Sequence, residues 1–137
     1  MEQKINLNLF DSIRQKVCIL RSYGGLGDII AMRMIFEDLK KKYPEFKITW
    51  ALPYIYFPVA SQHPFIDEIV CSSSYDRKSY LQVYNLSTVC TRHEWKYKKN
   101  NNKNRSDIWA NYFGLELENH NIYMPSYKEE LDFLYNQ

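Results

Sequence analysis

The chain has 137 residues, enough for one domain with a hydrophobic core and too few for two. Apolar residues make up 45% and charged residues 25%, a balance typical of a soluble globular protein, and the net charge of +2 is too small to indicate a nucleic-acid partner. No stretch approaches the ~20 apolar residues of a membrane span, and Met1 to Lys4 lack a signal peptide's apolar core. We therefore expect a cytoplasmic protein without a membrane-spanning segment.

A strand, a glycine-rich loop and a helix are predicted near the beginning of the chain. The continuous apolar run from Val17 to Leu20 predicts a strand that is covered on both faces. Gly24, Gly25 and Gly27 then predict a tight loop, and Asp28 begins an amphipathic helix. The apolar positions of that helix are Ile29, Met32, Ile35 or Phe36, Leu39 and Tyr43. Such a junction suits an anion, but the Asp28 carboxylate would repel phosphate and serves better as a base or a hydroxyl acceptor.

The next residues complete a predicted βαβ unit. Lys40 to Lys42 complement the negative end of the helix, and Pro44 ends it. The run from Phe46 to Leu52 predicts a second strand. A strand, a helix and a strand within about 40 residues form a βαβ unit, whose two strands are parallel.

Two further strands are predicted in the middle of the chain. The segment from Tyr54 to Ala60 predicts a short or broken helix because Pro58 interrupts it. The apolar segments from Ile66 to Cys71 and from Tyr80 to Leu86 then predict the third and fourth strands.

A basic, asparagine-rich tract at residues 96–105 follows the fourth strand. It contains five cations and no acid: Lys96, Lys98, Lys99, Lys103 and Arg105. We interpret it as a solvated loop, and the alternative is a loop that contacts phosphate. Ser106 is then the expected N-cap of a two-turn helix that ends at Gly114.

The order of these elements indicates the fold class. Asn121 to Pro125 predicts a last short strand, and the capping box at Ser126 to Glu129 begins a final helix. Alternation of strands and helices predicts a Rossmann-like, three-layer α/β domain with a mainly parallel sheet. We therefore divide the chain into an amino-terminal extension (1–15), this domain (16–125) and a carboxy-terminal helix (126–137).

The cysteines and the other potential metal ligands indicate no metal site. Cys18, Cys71 and Cys90 lie in or beside apolar runs without CxxC spacing. This pattern favours buried free thiols in a reducing compartment, with a disulfide or a metal site as the alternative. No cluster of histidine, cysteine and acidic residues has the spacing of metal ligands, so we expect no metal. We also expect no bound cofactor.

Four sequence blocks occur in the order that characterises a known family. They are Val17 to Arg21 with Gly24 to Ile29, Tyr43-Pro44 with Lys47 to Trp50, His63 to Ile69, and Ser106 to Ala110 with Phe113 to Leu115. On these blocks, the chain resembles the amino-terminal half of the ADP-heptose:lipopolysaccharide heptosyltransferase family (glycosyltransferase family 9). The resemblance implies a protein of two Rossmann-like domains, arranged as in the GT-B glycosyltransferases.

The resemblance implies a glycosyl transfer in a cleft between two domains. It implies that a glycan or lipid-linked acceptor binds this domain, and that a nucleotide sugar, the co-substrate, binds the second domain without a metal. It also implies that Asp28 is the general base that deprotonates the acceptor hydroxyl. From the residues alone, Asp28 is also explained as an acidic residue that stabilises the start of a helix.

The expected acceptor contacts lie around the glycine loop and after the fourth strand. The candidate substrate-binding residues are Ser22, Gly24, Gly25, Gly27, Arg92 and His93. The alternatives are a plain tight turn for the glycines and an ordinary polar loop for Arg92, His93 and Glu94. Arg21 is a candidate contact or a surface residue, and His63, which precedes a proline, is expected to be structural.

The chain also departs from the family pattern. It ends in a helix where the donor-binding domain would begin, so we expect no turnover by this chain alone and consider a separate donor-domain chain as a partner. Asn85 to Ser87 stand where the family tends to have an aspartate and a polar, glycine-containing run. Three interpretations therefore remain open: a glycosyltransferase acceptor domain, a non-catalytic module that binds a sugar, nucleotide or protein, and an interaction protein that retains only the scaffold.

Overall fold

A computed structural model describes residues 15–98 and 103–125 of the chain. These residues form a Rossmann-like α/β domain with one all-parallel, four-stranded sheet in the order β3-β2-β1-β4, which confirms the predicted fold class. The strands are β1 (Lys16–Leu20), β2 (Lys47–Leu52), β3 (Glu68–Cys71) and β4 (Gln82–Asn85). The helices are α1 (Leu26–Met32), α2 (Phe36–Lys42), α3 (Phe57–Ala60), α4 (Val89–Tyr97) and α5 (Arg105–Tyr112).

Strand β1 lies inside the sheet, which explains its continuous apolar sequence. It pairs with β2 on one side and with β4 on the other, so that Ile19 lies between Trp50 and Tyr84. Val17, Cys18 and Ile19 are fully buried, as a central strand of a parallel sheet requires. The predicted βαβ unit is confirmed, since β1 and β2 are parallel and joined through α1 and α2.

The larger core lies between one face of the sheet and the helices. Val17, Ile19 and Trp50 from the sheet pack there with side chains from the helices, including Phe36 and Trp109. On the opposite face, a smaller cluster contains Cys18, Leu20, Ala51 and Val83, with Val70, Tyr75 and Tyr80 packed against it.

The first predicted helix is present, with a 3₁₀ turn at Arg33–Ile35 between α1 and α2. Arg33 in that turn is fully buried. Its guanidinium donates to the carbonyl oxygens of Val59 and Ser61 at 3.1 and 3.0 Å, and to those of Ile122 and Tyr123. One arginine thereby joins the 3₁₀ turn to α3, to Ser61 directly after it and to residues 121–125.

The helix α4 corrects our expectation for the region after the fourth strand. The polar-loop alternative for Arg92 to Glu94 is wrong, because these residues lie on α4. The loop predicted for the basic tract is wrong at both of its ends, since α4 extends through Tyr97 and α5 begins at Arg105. The helix was not predicted because polar and charged residues dominate the segment from Thr91 to Arg105. Only one side of α4 is apolar, and Cys90 is its single buried residue.

Two predictions about the last described residues are also wrong. Asn104, not Ser106, is the N-cap of α5: its side-chain oxygen accepts a hydrogen bond from the Asp107 amide at 2.9 Å. Ser106 lies inside the helix, where its hydroxyl donates to the Ala31 carbonyl. Residues 121–125 form no strand. The predicted elements in residues 1–14 and 126–137 lie outside the described residues.

The cysteines are free, as expected, and differ in environment. Cys18 and Cys90 are buried, which raises the pKa of each thiol to about 12. Cys71 is half-buried, and hydrogen bonding from Ser73 lowers the pKa of its thiol. In the described part of the chain, no helix is long and apolar enough to cross a membrane.

Candidate functional site

The candidate site lies at the carboxyl ends of β1 and β4. These two strands are neighbours in the sheet, although β2 and β3 lie between them in the sequence. The chain turns from β1 towards β2 on one side, while β4 pairs on the other side. Parallel α/β sheets bind ligands at such a switch in strand order. The Ser22 amide donates to the Ser87 hydroxyl at 2.9 Å and joins the two strand ends.

Arg21 forms the buried floor of this site. Its side chain is 4% exposed, and its Nη1 donates to the carbonyl oxygens of Leu86 and Ser87 at 3.0 and 3.1 Å. Its guanidinium carbon lies 5.6 Å from the centre of the Trp109 ring. Arg21 is therefore fixed by the backbone after β4, and its remaining terminal nitrogen, Nη2, donates to Asp28 Oδ2 at 2.8 Å.

Asp28 belongs to a chain of four alternating charges. Arg105 Nη1 lies 2.5 Å from the same Asp28 oxygen, Oδ2. The other side of the Arg105 guanidinium contacts Glu94 through Nε at 3.1 Å and Nη2 at 2.7 Å, and this contact holds the pKa of Glu94 below its usual value. The formal charges of Arg21, Asp28, Arg105 and Glu94 sum to zero, so the cluster is not a simple phosphate cradle.

The glycine loop covers this cluster, and packing requires glycine only at residue 24. Gly24 has a φ of +133°, and a Cβ atom there would lie 2.5 Å from Arg21 Nη2. A Cβ atom at Gly25 or Gly27 would meet no atom of the described residues within 4 Å. The Gly24 carbonyl accepts a hydrogen bond from the Tyr56 hydroxyl at 2.9 Å, which links the loop to the segment after β2.

One oxygen of the Asp28 carboxylate is available to a ligand. Asp28 Oδ2 accepts from two guanidinium groups, whereas Oδ1 makes no hydrogen bond with any residue that the structure describes. The Asp28 side chain is 21% exposed, so solvent reaches it. A partly exposed carboxylate oxygen of this kind can accept a hydrogen bond from a ligand hydroxyl.

The other sequence-based site candidates are spread over two regions. Ser22 lies in the site, but it contributes a backbone amide to Ser87 and its own side chain is exposed. Arg92 and His93 lie on α4, where His93 packs on the Tyr97 ring at 4.5 Å. Within residues 15–98 and 103–125, neither forms a hydrogen bond or ion pair with Asp28.

Two cluster members were not recognised as such from the sequence. Glu94 was grouped with a polar loop, and Arg105 with the solvated basic tract. The sequence contained one usable signal: Cys90 and Glu94 are four residues apart, which places them on one side of a helix that faces the domain. The contact between Arg105 and Asp28 spans 77 residues and has no local signature.

His63 lies away from this cluster and is structural, as expected. It is buried, its Nε2 donates to the Arg33 carbonyl at 2.8 Å, and its Nδ1 accepts from the Phe65 amide at 3.1 Å. Burial lowers the pKa of the imidazole to about 4. The ring is therefore neutral at pH 7, with its proton on Nε2.

Comparisons with protein-family models, with curated proteins and with solved structures found no match to this chain. A function must therefore be argued from the residues and from their arrangement. These observations define a small α/β domain with a four-strand parallel sheet and a charged cluster at the switch in strand order.

Proposed function

We propose that the chain is the acceptor-binding domain of a heptosyltransferase-like, GT-B glycosyltransferase. Completed by a donor-binding domain, it transfers a sugar from a nucleotide sugar to a glycan or lipid-linked acceptor. In this proposal Asp28 is the general base. The donor site belongs to a separate domain or chain, and this chain alone has no turnover.

The position of Asp28 is the observation that carries the proposal. A general base for glycosyl transfer must stand on a rigid element at the ligand-binding edge of the sheet. Asp28 lies in the first turn of α1, directly after the loop that leaves β1. Arg21 holds its Oδ2 and is itself fixed by two backbone carbonyls, so the carboxylate has a defined orientation.

In the proposed step, Asp28 Oδ1 accepts the proton of the acceptor hydroxyl. The acceptor oxygen forms a bond to the anomeric carbon of the donor sugar while the bond from that carbon to the nucleotide diphosphate breaks. The bonding electrons leave with the diphosphate. Arg105 and Arg21 keep the second carboxylate oxygen, Oδ2, in place during this proton transfer.

Replacement of the proposed base tests this mechanism. With a donor domain supplied, we expect Asp28→Asn to lower kcat for sugar transfer by roughly 10²- to 10⁴-fold, the usual contribution of a general base. Asp107→Asn is the matched control, because Asp107 also lies in the first turn of a helix but forms no ion pair with Arg21 or Arg105. Unchanged transfer by Asp28→Asn would remove Asp28 from the mechanism.

A second candidate function is a non-catalytic module that binds a sugar or a nucleotide. The observation in its favour is that two guanidinium groups already occupy Asp28 Oδ2, as expected of a structural carboxylate. The two candidates differ in one result. A non-catalytic module binds its ligand and yields no glycoside with any donor domain, whereas the transferase domain yields product that depends on Asp28.

A further inference from the structure

The outward side of α4 combines exposed basic and aromatic residues. Arg92, Trp95 and Lys96 have helical spacing i, i+3, i+4 and therefore lie on one side of the helix. The Trp95 side chain is 74% exposed, and both cations are exposed. Lys98 adds a charge at the end of the helix, with its Nζ 5.1 Å from the centre of the Trp95 ring. We call Arg92, Trp95, Lys96 and Lys98 the α4 basic face.

The α4 basic face is not needed to attach the helix to the domain. Attachment comes from the inward side, where the Cys90 thiol contacts the Arg105 carbonyl at 3.6 Å and Glu94 pairs with Arg105. Glu94 is also the only acidic residue of α4. The inward ion pair therefore removes the one negative charge of the helix from its outward side, which remains cationic.

We propose that the α4 basic face docks onto a membrane surface that contains anionic phospholipids. Charge complementarity argues for this partner, since exposed lysine and arginine residues are attracted to the negative headgroups. The exposed indole argues for the same partner, because tryptophan favours the boundary between headgroups and acyl chains. The proposal concerns surface binding only and does not depend on the proposed glycosyl transfer.

The form of this surface argues against single-stranded nucleic acid as the partner. Proteins that bind single strands line a groove with several aromatic side chains on which successive bases stack. The α4 basic face instead presents one indole on the outward side of a surface helix. A convex helix surface with one exposed ring can lie on a flat array of headgroups and insert that ring between them.

Trp95 provides a direct reporter for the experiment. The chain has three tryptophans, and Trp50 and Trp109 are fully buried. The full chain is titrated with vesicles of phosphatidylcholine alone and of phosphatidylcholine mixed with phosphatidylglycerol. With the mixed vesicles only, we expect a blue shift of the fluorescence and protection of Trp95 from acrylamide, and we expect added salt to reverse both.

A matched pair of double variants assigns the binding to this face. Co-sedimentation of Arg92→Ala with Lys96→Ala should show binding to the mixed vesicles that is roughly thirtyfold weaker than for the parent chain. Arg77→Ala with Lys78→Ala removes the same residue types from the exposed 3₁₀ turn before β4 and should bind as the parent chain does.

Three results would overturn the proposal. They are equal binding to neutral and mixed vesicles, equal loss of binding in the two double variants, and protection of Trp95 by a single-stranded oligonucleotide but not by mixed vesicles. The last result would assign the surface to nucleic acid. A thermal unfolding curve of each double variant confirms that it remains folded.

Discussion

At the residue scale, Gly24 is the position in the glycine loop that tolerates substitution least. A methyl group there would clash with the Arg21 guanidinium, and the backbone has a positive φ that other residues rarely adopt. We expect Gly24→Ala to lower the free energy of unfolding by about 1–3 kcal/mol. Urea denaturation measures this change.

Gly25 supplies the control for that substitution. Its φ is −84°, and an added Cβ would meet no atom within 4 Å in the part of the chain that the structure describes. Gly25 is also the N-cap of α1, where glycine is preferred over alanine, and this cost opposes the lower entropy of the unfolded chain. Gly25→Ala should therefore change the free energy of unfolding by less than about 1 kcal/mol. An equal loss of stability in both variants would contradict the close packing of Arg21 against Gly24.

His63 makes stability depend on pH. The folded chain binds a proton on this imidazole only below a pKa of about 4, whereas an unfolded histidine binds one below about 6.5. The unfolded state therefore holds more protons between these values, and stability falls as the pH falls through this window. The full contribution, up to about 3 kcal/mol, is present above pH 6.5.

Chemical denaturation at several pH values tests the role of His63. The free energy of unfolding of the parent chain minus that of His63→Asn should decrease from about pH 6.5 to about pH 4. A difference that is constant across this window would show that the imidazole is not held neutral by burial.

At the element scale, α4 and α5 are joined to α1 through Arg105. Glu94 on α4 and Asp28 on α1 contact the same guanidinium, so one side chain connects three helices. The Arg105 and Glu94 side chains are 37% and 35% exposed. Solvent therefore screens their pair, and its stabilising effect is small despite the two-point geometry.

A double-mutant cycle measures that pair. Glu94→Ala and Arg105→Ala, singly and together, should give a coupling energy of about 0.5–1 kcal/mol that decreases as salt is added. A coupling energy of zero at low salt would show that the contact does not join the two helices in solution.

Local sequence patterns predicted some of these elements and missed others. Val17 to Leu20 form an unbroken apolar run, and such a run predicts a central strand directly. Helix α4 was missed because most of its residues are polar, and the asparagine-rich residues after it favoured a loop. The N-cap of α5 was placed two residues too late because Asn104 and Ser106 are both good capping residues.

At the scale of the whole molecule, sequence patterns predicted the fold class but only part of the site. Alternating strands and helices predict a parallel α/β sheet. The prediction of β1 also places Asp28 just after the loop at the carboxyl end of that strand. The pairing of β1 with β4 joins residues 65 positions apart, such as Arg21 and Leu86, and no local pattern encodes it. The partners of Asp28 therefore became visible only with the sheet order.

Some of the exposed large apolar side chains lie around the glycine loop and after β2, and others lie on α4, before β4, at the end of α5 and at Met124. Tyr23 and Leu26 flank the glycine loop, and Tyr54 and Ile55 follow β2, whose adjoining Tyr56 bonds to that loop. Tyr23 and Leu26 are therefore adjacent in sequence to the proposed acceptor site, and Tyr56 connects the segment after β2 to it. Trp95 lies on the outward side of α4, which is the surface that we assign to a membrane.

Calorimetric titration of candidate sugar acceptors tests the central claim, that Asp28 receives an acceptor hydroxyl at the switch in strand order. We expect an acceptor to bind the parent chain and Asp107→Asn equally, and to bind Asp28→Asn about ten- to a hundredfold more weakly, because a hydrogen bond to a charged group is lost. Nucleotide sugars should not bind this chain alone. Equal acceptor binding by Asp28→Asn and the parent chain would contradict the account.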